Sequence, residues 1–324
     1  MKKVIALTII LAMLLSLAAC GGNTNNTANN SAADKTFTIG ICQLVQHPAL
    51  DAATEGFMDA VKKALGDKVT FLNKNGSGEP ANCATIVNGF VSQKVDLIMA
   101  NATPALTAAA SATKDIPILG TSITEYGTAL DLKNYSGVVG GNISGTSDLA
   151  DLAQQAARIK EWFPNAKKVG IIFCSSEANS RYQVDVVKKH LTDAGITVTE
   201  FAFTDSNDVT SVTQKACSES DVIYIPTDNV AASNTEAIAN VVIPAKVPVV
   251  AGEENLCKGC GVCTLSIDYY DLGVTTGEMA VKILTGGADI SKMAVEYAPT
   301  TKKFNAEICT KLGITPLAGY EAIK

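Results

Sequence analysis

The chain has 324 residues, is 47% hydrophobic and 18% charged, and carries a formal net charge of −6. That composition suits a large packed core, and with no Lys/Arg run longer than two residues it excludes a nucleic-acid footprint or a polybasic membrane patch. Only His47 and His190 are available, so no histidine-rich metal site can be built, and no G-x-S-x-G elbow accompanies either for a hydrolytic triad. Neither a metal nor a cofactor is expected.

Lys2 and Lys3 precede an apolar run from Val4 to Leu17, closed by Ala18-Ala19-Cys20. Charged, apolar and small segments in that order form a secretory signal, and the run is too short for a comfortable membrane span. Leu17–Cys20 resembles a bacterial lipobox. The resemblance implies acylation (diacylglyceryl and palmitate-type chains) at Cys20, removal of residues 1–20, and anchoring at the extracytoplasmic face of the cell membrane. Residues 21–35 read GGNTNNTANNSAADK, which cannot bury enough surface to order itself and is expected to be a flexible tether.

Roughly 290 residues follow, enough for two domains. Strand-length apolar runs occur at Phe37–Leu44, Val69–Leu72, Val95–Ala100, Ile116–Leu119, Lys168–Cys174, Ile196–Phe203, Asp221–Pro226 and Val247–Ala251. Helical periodicity is found at Leu50–Leu65, Ala81–Val91, Leu149–Phe163, Asn179–Ala194 and Ala231–Ile243. Short apolar strands alternating with amphipathic helices predict an α/β fold with parallel sheets covered on both faces. The halves also rhyme. Asp96-Leu97-Ile98-Met99-Ala100-Asn101 matches Asp221-Val222-Ile223-Tyr224-Ile225-Pro226, and each leads through a helix to a proline-containing strand at Ile116–Gly120 or Val247–Ala251. Two such pairings in the same order predict two similar Rossmann-like lobes.

Ligands bind beyond the carboxyl ends of strands in open parallel sheets. Those ends carry Gln43 with His47, Thr103-Pro104, Thr121-Ser122 with Thr124, Ser175 to Ser180, and Thr227-Asp228-Asn229. The Ser, Thr, Asp and Asn residues among them are also good helix caps taken singly. Their convergence from both halves suits a zwitterion, with helix N-termini and hydroxyls for a carboxylate and an aspartate for an ammonium.

A family resemblance rests on Gln43-x-x-Gln46-His47-Pro48-Ala49-Leu50-Asp51, Ala102–Ala105, Ser175–Ser180, Pro226–Asn229 and Ile267-Asp268-Tyr269-Tyr270-x-Leu272-Gly273-x-x-Thr276-Gly277. From about Thr36 to the C-terminus the chain resembles the ABC-transporter substrate-binding lipoproteins of tryptophan, tyrosine or phenylalanine uptake. This implies the type 1 periplasmic-binding-protein fold: two lobes joined by a three-stranded hinge that close on an amino acid. The expected lobes are 36–145 with about 266–291, and 146–265 with about 292–324. The expected partners are a free amino acid, a permease with its ATPase, and the membrane through the anchor, the protein itself being a monomer. Thr103 and nearby helix N–H groups, with Ser176, would take the carboxylate; Asp228, helped by Asn229, the ammonium. Gln43, His47, Asn179 and Tyr269 would shape the side-chain pocket, with Thr124, Thr227 and Asp268 in the same wall.

Two departures stand out. The crossing segment Asn142-Ile143-Ser144-Gly145-Thr146-Ser147-Asp148 lacks the proline expected after it. Cys257-x-x-Cys260-x-x-Cys263 has ferredoxin spacing, yet Ile267 stands at the fourth ligand position and no Cys-Pro follows, so a disulfide between two of the three is favoured over a cluster, with free thiols the alternative in an anaerobic host. Trp162 is expected to pack rather than bind. The reading is a solute receptor without chemistry. A sensory co-receptor for the same ligand and an exported hydrolase using Asp228 or Glu177 are the competing classes, and the hydrolase lacks a recognisable nucleophile or acid–base pair.

Overall fold

A computed structural model describes residues 35–324; the expected signal, Cys20 and all but the last tether residue lie outside the described residues. The first half contains β1 (Phe37–Gln43), α1 (Pro48–Leu65), β2 (Val69–Asn75), α2 (Pro80–Gln93), β3 (Leu97–Asn101), α3 (Thr103–Ala112), β4 (Ile118–Ile123), α4 (Tyr126–Ala129) and β5 (Ile143–Ser147). The second runs through α5 (Leu152–Trp162), β6 (Lys168–Cys174), α6 (Ala178–Asp193), β7 (Thr197–Phe203), α7 (Val209–Glu219), β8 (Val222–Ile225), α8 (Asn229–Ser233), α9 (Thr235–Ala245), β9 (Val249–Ala251), α10 (Glu254–Cys260) and β10 (Cys263–Ser266). The chain ends with α11 (Tyr269–Leu284), β11 (Glu296–Tyr297), β12 (Thr301–Phe304), α12 (Ala306–Leu312) and β13 (Glu321–Ala322).

The first five strands pair in the order β2-β1-β3-β4-β5, the second five in the order β7-β6-β8-β9-β10, all parallel. The rhyme read from sequence is therefore a repeat of topology. It extends to single residues. Asp96 accepts from the backbone N–H of Thr38 at 2.8 Å, and Asp221 accepts from those of Lys167 and Lys168 at 2.8 and 2.9 Å, so each aspartate ties the start of its third strand to the start of the first. Apolar side chains cover both faces of each sheet, Ile39, Ile41 and Met99 backing one face of the first and Val87, Phe90 and Ile98 the other.

The chain passes between the sheets three times, at residues 148–151, 267–268 and 298–300. Two boundaries differ from expectation. Ser147 still pairs in the first sheet, and β11 joins β5 in register with Thr146 and Ser147, so the last passage falls after residue 297 rather than near 292. The helix expected over Ala231–Ile243 is broken at Asn234, whose side chain donates to the Val230 carbonyl at 2.7 Å and takes the acceptor a continuing helix would use. Helix α5 starts at Leu152, because Asp151 caps it by accepting from the N–H of Gln154 at 3.0 Å. Trp162 packs edge-on against Tyr320, with ring centroids 5.0 Å apart.

Candidate functional site

Both sheets direct their carboxyl ends at the seam between the lobes, and the polar turns lie there. On the first lobe, Gln43 is occupied internally. Its amide donates to Asp51 Oδ1 at 2.7 Å and to the Val45 carbonyl at 2.8 Å, and its oxygen accepts from Thr54 Oγ1 at 2.7 Å. These bonds secure the β1–α1 turn. His47 precedes Pro48 at the start of α1 and is buried. Its Nε2 lies 3.4 Å from Asn229 Oδ1 of the other lobe, while Nδ1 is buried without a hydrogen-bond partner. Burial lowers its pKa to about 4, so the ring is neutral.

Two neighbouring turns are strained. Ala102 and Ser122 have φ of +87° and +55°, rarely adopted by residues with a Cβ, and follow β3 and close β4. Such strain costs on the order of 1–3 kcal/mol each and gathers where the surrounding structure must aim a group. Ser122 Oγ is buried and unpartnered. Thr103 opens α3 just before Pro104 and is buried.

The passages between lobes contribute Asp148 and Tyr269. The Tyr269 hydroxyl donates to Asp148 Oδ2 at 2.9 Å, joining the first passage to the end of the second. Thr124 faces the same carboxyl group, and Thr227 of the second lobe faces the Tyr269 hydroxyl. Asp148 Oδ1 is buried with no partner. Asp268, by contrast, is exposed and caps α11 by accepting from the N–H groups of Tyr270 and Asp271.

On the second lobe Asp228 is buried, and both oxygens of its carboxylate accept from its own lobe. Oδ2 accepts from the Cys174 N–H at 2.6 Å and Ser180 Oγ at 2.7 Å, and Oδ1 accepts from the Ala231 N–H at 2.9 Å. These bonds fasten β6, α6 and α8 together, a structural role that the sequence expectation of an ammonium partner did not foresee. Glu177 is engaged likewise, by Asn179, by the side chain and N–H of Asn229, and by the Val230 N–H. Asn179 also donates to the Thr227 carbonyl at 3.3 Å, while its Oδ1 is buried and unpartnered.

These contacts form a connected polar path: Thr124, Asp148, Tyr269, Thr227, Asn179, Glu177, Asn229 and finally His47, leaving and re-entering the first lobe. Along or beside it lie four buried unpartnered atoms, His47 Nδ1, Ser122 Oγ, Asp148 Oδ1 and Asn179 Oδ1. Buried polar atoms normally find partners, so a group of unfilled ones from both lobes marks where a polar ligand would be held. Ser176 is exposed and does not join this path, being bonded to the Thr204 carbonyl at 3.3 Å. Together with Thr103, Pro104 and Ala178 it lines a groove of about 450 Å³ that runs along the seam, so Thr103 and Ser176 do meet from the two lobes.

Burial raises the Asp148 carboxyl to about 6 and those of Glu177 and Glu253 to about 7, and raises Asp228 as well. A carboxyl raised by folding contributes fully below its unfolded pKa, and that contribution disappears as pH rises through the folded value. His47 opposes this, its contribution being present above roughly 6.5 and lost as pH falls toward about 4. The carboxyls outnumber it. The ligand-free protein is therefore expected to unfold at a higher temperature at pH 5.5 than at pH 8 in scanning calorimetry. The reverse order would show that the carboxyls are ionised without penalty.

Among the described residues no group of three His, Cys, Asp or Glu side chains is placed to hold a metal ion. All eight described cysteines are unbridged, including Cys257, Cys260 and Cys263, which corrects the expected disulfide. Burial pushes all three thiols up, away from the thiolate that metal or disulfide chemistry requires.

Residues 38–317 match the family model described as ABC transporter substrate binding protein. A tyrosine-binding protein of Clostridioides difficile is 35% identical over 293 residues, covering 88% of this chain and 85% of that protein. A Streptococcus pneumonia ABC domain solved in complex with L-Trp is 33% identical, with a TM-score of 0.84 over 89% of this chain and all of that one. The ligand-free, open structure of a Clostridium difficile substrate binding protein with adhesive properties is 36% identical over 89% of this chain and 99% of that one, but its TM-score is only 0.68. At near-equal identity, the two sheets are thus arranged more like the tryptophan complex than like the open form.

Proposed function

Because the chain belongs to the ABC transporter substrate binding protein family, we propose that it captures a free aromatic amino acid between its lobes and delivers it to a membrane permease. The observation that carries this is the set of unfilled buried polar atoms drawn from both lobes at one seam. The names of the tyrosine-binding and tryptophan-complexed relatives supply the side-chain class. The ligand bridges the lobes, so closure gains contacts that the open form lacks, and selection of the closed state is the whole of the function. No catalytic step belongs to it.

Thr103 with the free N–H groups at the start of α3, and Ser176 across the groove, serve the carboxylate. His47 and Asn179 aim unfilled atoms at the ligand, with Tyr269, Thr124, Thr227 and Asn229 as the wall that positions them. Gln43 and Asp268 act on the framework only. Burying an aromatic ring contributes several kcal/mol at roughly 25 cal/mol per Å², enough to separate it from alanine by orders of magnitude. Calorimetric titration with the twenty amino acids is expected to give micromolar or tighter binding of at least one aromatic and none of glutamate, lysine or simple sugars. Binding of branched-chain amino acids or sugars in place of aromatics would refute the specificity.

The protein works outside the cytoplasm, held through an acylated Cys20. Wild-type protein is expected to partition into detergent, and Cys20→Ser to release it or leave it uncleaved. A wholly soluble mature wild type with its N-terminus elsewhere would remove the anchor.

A further inference from the structure

Four carboxylates are buried among the described residues: Asp148, Glu177, Asp228 and Glu253. Three are engaged through both oxygens. Glu177 accepts from four groups of its own lobe, Asp228 from three, and Glu253 caps α10 by accepting from the N–H groups of Asn255 and Leu256. Asp148 is different. Oδ2 accepts from the Tyr269 hydroxyl and the Thr124 side chain acts on the same carboxyl group, while Oδ1 is buried without a hydrogen-bond partner, and no cation stands among the groups that act on it. A buried carboxylate with a free oxygen and no counter-charge is costly until a cationic donor meets it.

The geometry points to Asp148 as the carboxylate that receives the ligand's ammonium group, making it the residue that distinguishes an amino acid from the corresponding aryl acid. This rests on the proposed aromatic amino-acid site and specifies its charged end. Asp148 follows β5 directly and opens the first passage between the lobes, while Tyr269 opens α11 just after the second. An ammonium on Oδ1 therefore acts where two interlobe passages are already joined, so the ligand's charge is read at the hinge. A hydrogen bond to a charged group in such a site is worth on the order of 1.5–3 kcal/mol, or about tenfold to a hundredfold in affinity.

The test titrates wild type and Asp148→Asn with L-tyrosine and L-tryptophan, and with 3-(4-hydroxyphenyl)propionate and indole-3-propionate, which lack the amine. Asparagine keeps an acceptor for Tyr269. The expected result is a loss of about tenfold to a hundredfold for the amino acids, with the amine-free acids unchanged or tighter. Equal losses for both series, or unchanged amino-acid affinity, would overturn the assignment while leaving the aromatic site standing. Failure of wild type to bind any aromatic would overturn that site and this assignment with it.

Should the variant not fold, wild type alone decides. Calorimetry at pH 6 in buffers of different ionisation enthalpy should show proton release with L-tyrosine and not with its amine-free analogue. Glu253, Tyr126 and Tyr269 are the other titratable groups acting near Asp148. They are common to both titrations, so equal proton release in the two would refute the ammonium contact.

Discussion

Asp228→Asn is expected to lower stability by about 2 kcal/mol while leaving the affinity for an aromatic amino acid within about threefold of wild type. The reason is donor arithmetic. Cys174 and Ala231 each present a backbone N–H, one to each carboxylate oxygen. An asparagine has one acceptor oxygen and one NH₂, so in either orientation the amide nitrogen faces a buried N–H that loses its partner. Leaving a buried donor unsatisfied costs about 1–3 kcal/mol, and the helix cap on α8 adds to this if the flip places nitrogen toward Ala231. Part of the loss is offset, because removing the Asp228 charge relieves its repulsion of Glu177. For a chain this long the melting temperature should fall by roughly 3 °C. An unchanged melting temperature combined with a tenfold loss of affinity would return the ammonium to Asp228.

The largest effect on the fold is expected at the crossing of α1 and α11. A Cβ on Gly273 would stand 2.1 Å from the Ala53 carbonyl oxygen, and one on Gly56 would stand 2.1 Å from that of Tyr270. Both obstacles are backbone, so the helices must separate by more than an ångström to admit even a methyl group. Gly273→Ala should therefore cost about 3 kcal/mol, near the upper end for overpacking. It should also weaken ligand binding, since Tyr269 begins α11 and would move with it. Gly89 in α2 is the matched control, with nothing within 4 Å of its added Cβ. Gly89→Ala should stabilise by about 0.5–1 kcal/mol. Equal melting temperatures for the two variants would show that the α1–α11 approach is not close.

The strand and helix periods visible in the chain determined the α/β class, and the paired Asp96 and Asp221 segments determined the two-lobed repeat. Both are local in origin, a matter of apolar spacing and one capping aspartate per unit. Strands β5 and β10–β13 escaped that reading. Ile143–Ser147 is nearly polar, and Thr146 is buried through hydrogen bonds to Thr121 at 3.2 Å and Thr276 at 2.8 Å rather than through apolar packing. The motif Gly273-x-x-Thr276-Gly277 was visible only as a resemblance; its physical cause, a backbone approach and a buried hydroxyl contact, needs the partner helix and sheet.

The same division runs through the site. His47, Asn179, Thr227, Asn229 and Tyr269, which the proposed site uses, were candidates in the sequence because polar residues from both halves gather just beyond strand ends, although capping accounts for some of them taken singly. Which carboxylate is free was not legible. Asp228 stood out in the sequence because it lies in a polar turn directly before a helix, whereas Asp148 read only as part of the crossing segment. Only the tertiary structure surrounds Asp228 with three donors from β6, α6 and α8, one or more on each oxygen, and leaves Asp148 Oδ1 without a partner, because unsatisfied hydrogen-bonding capacity depends on neighbours distant in the chain.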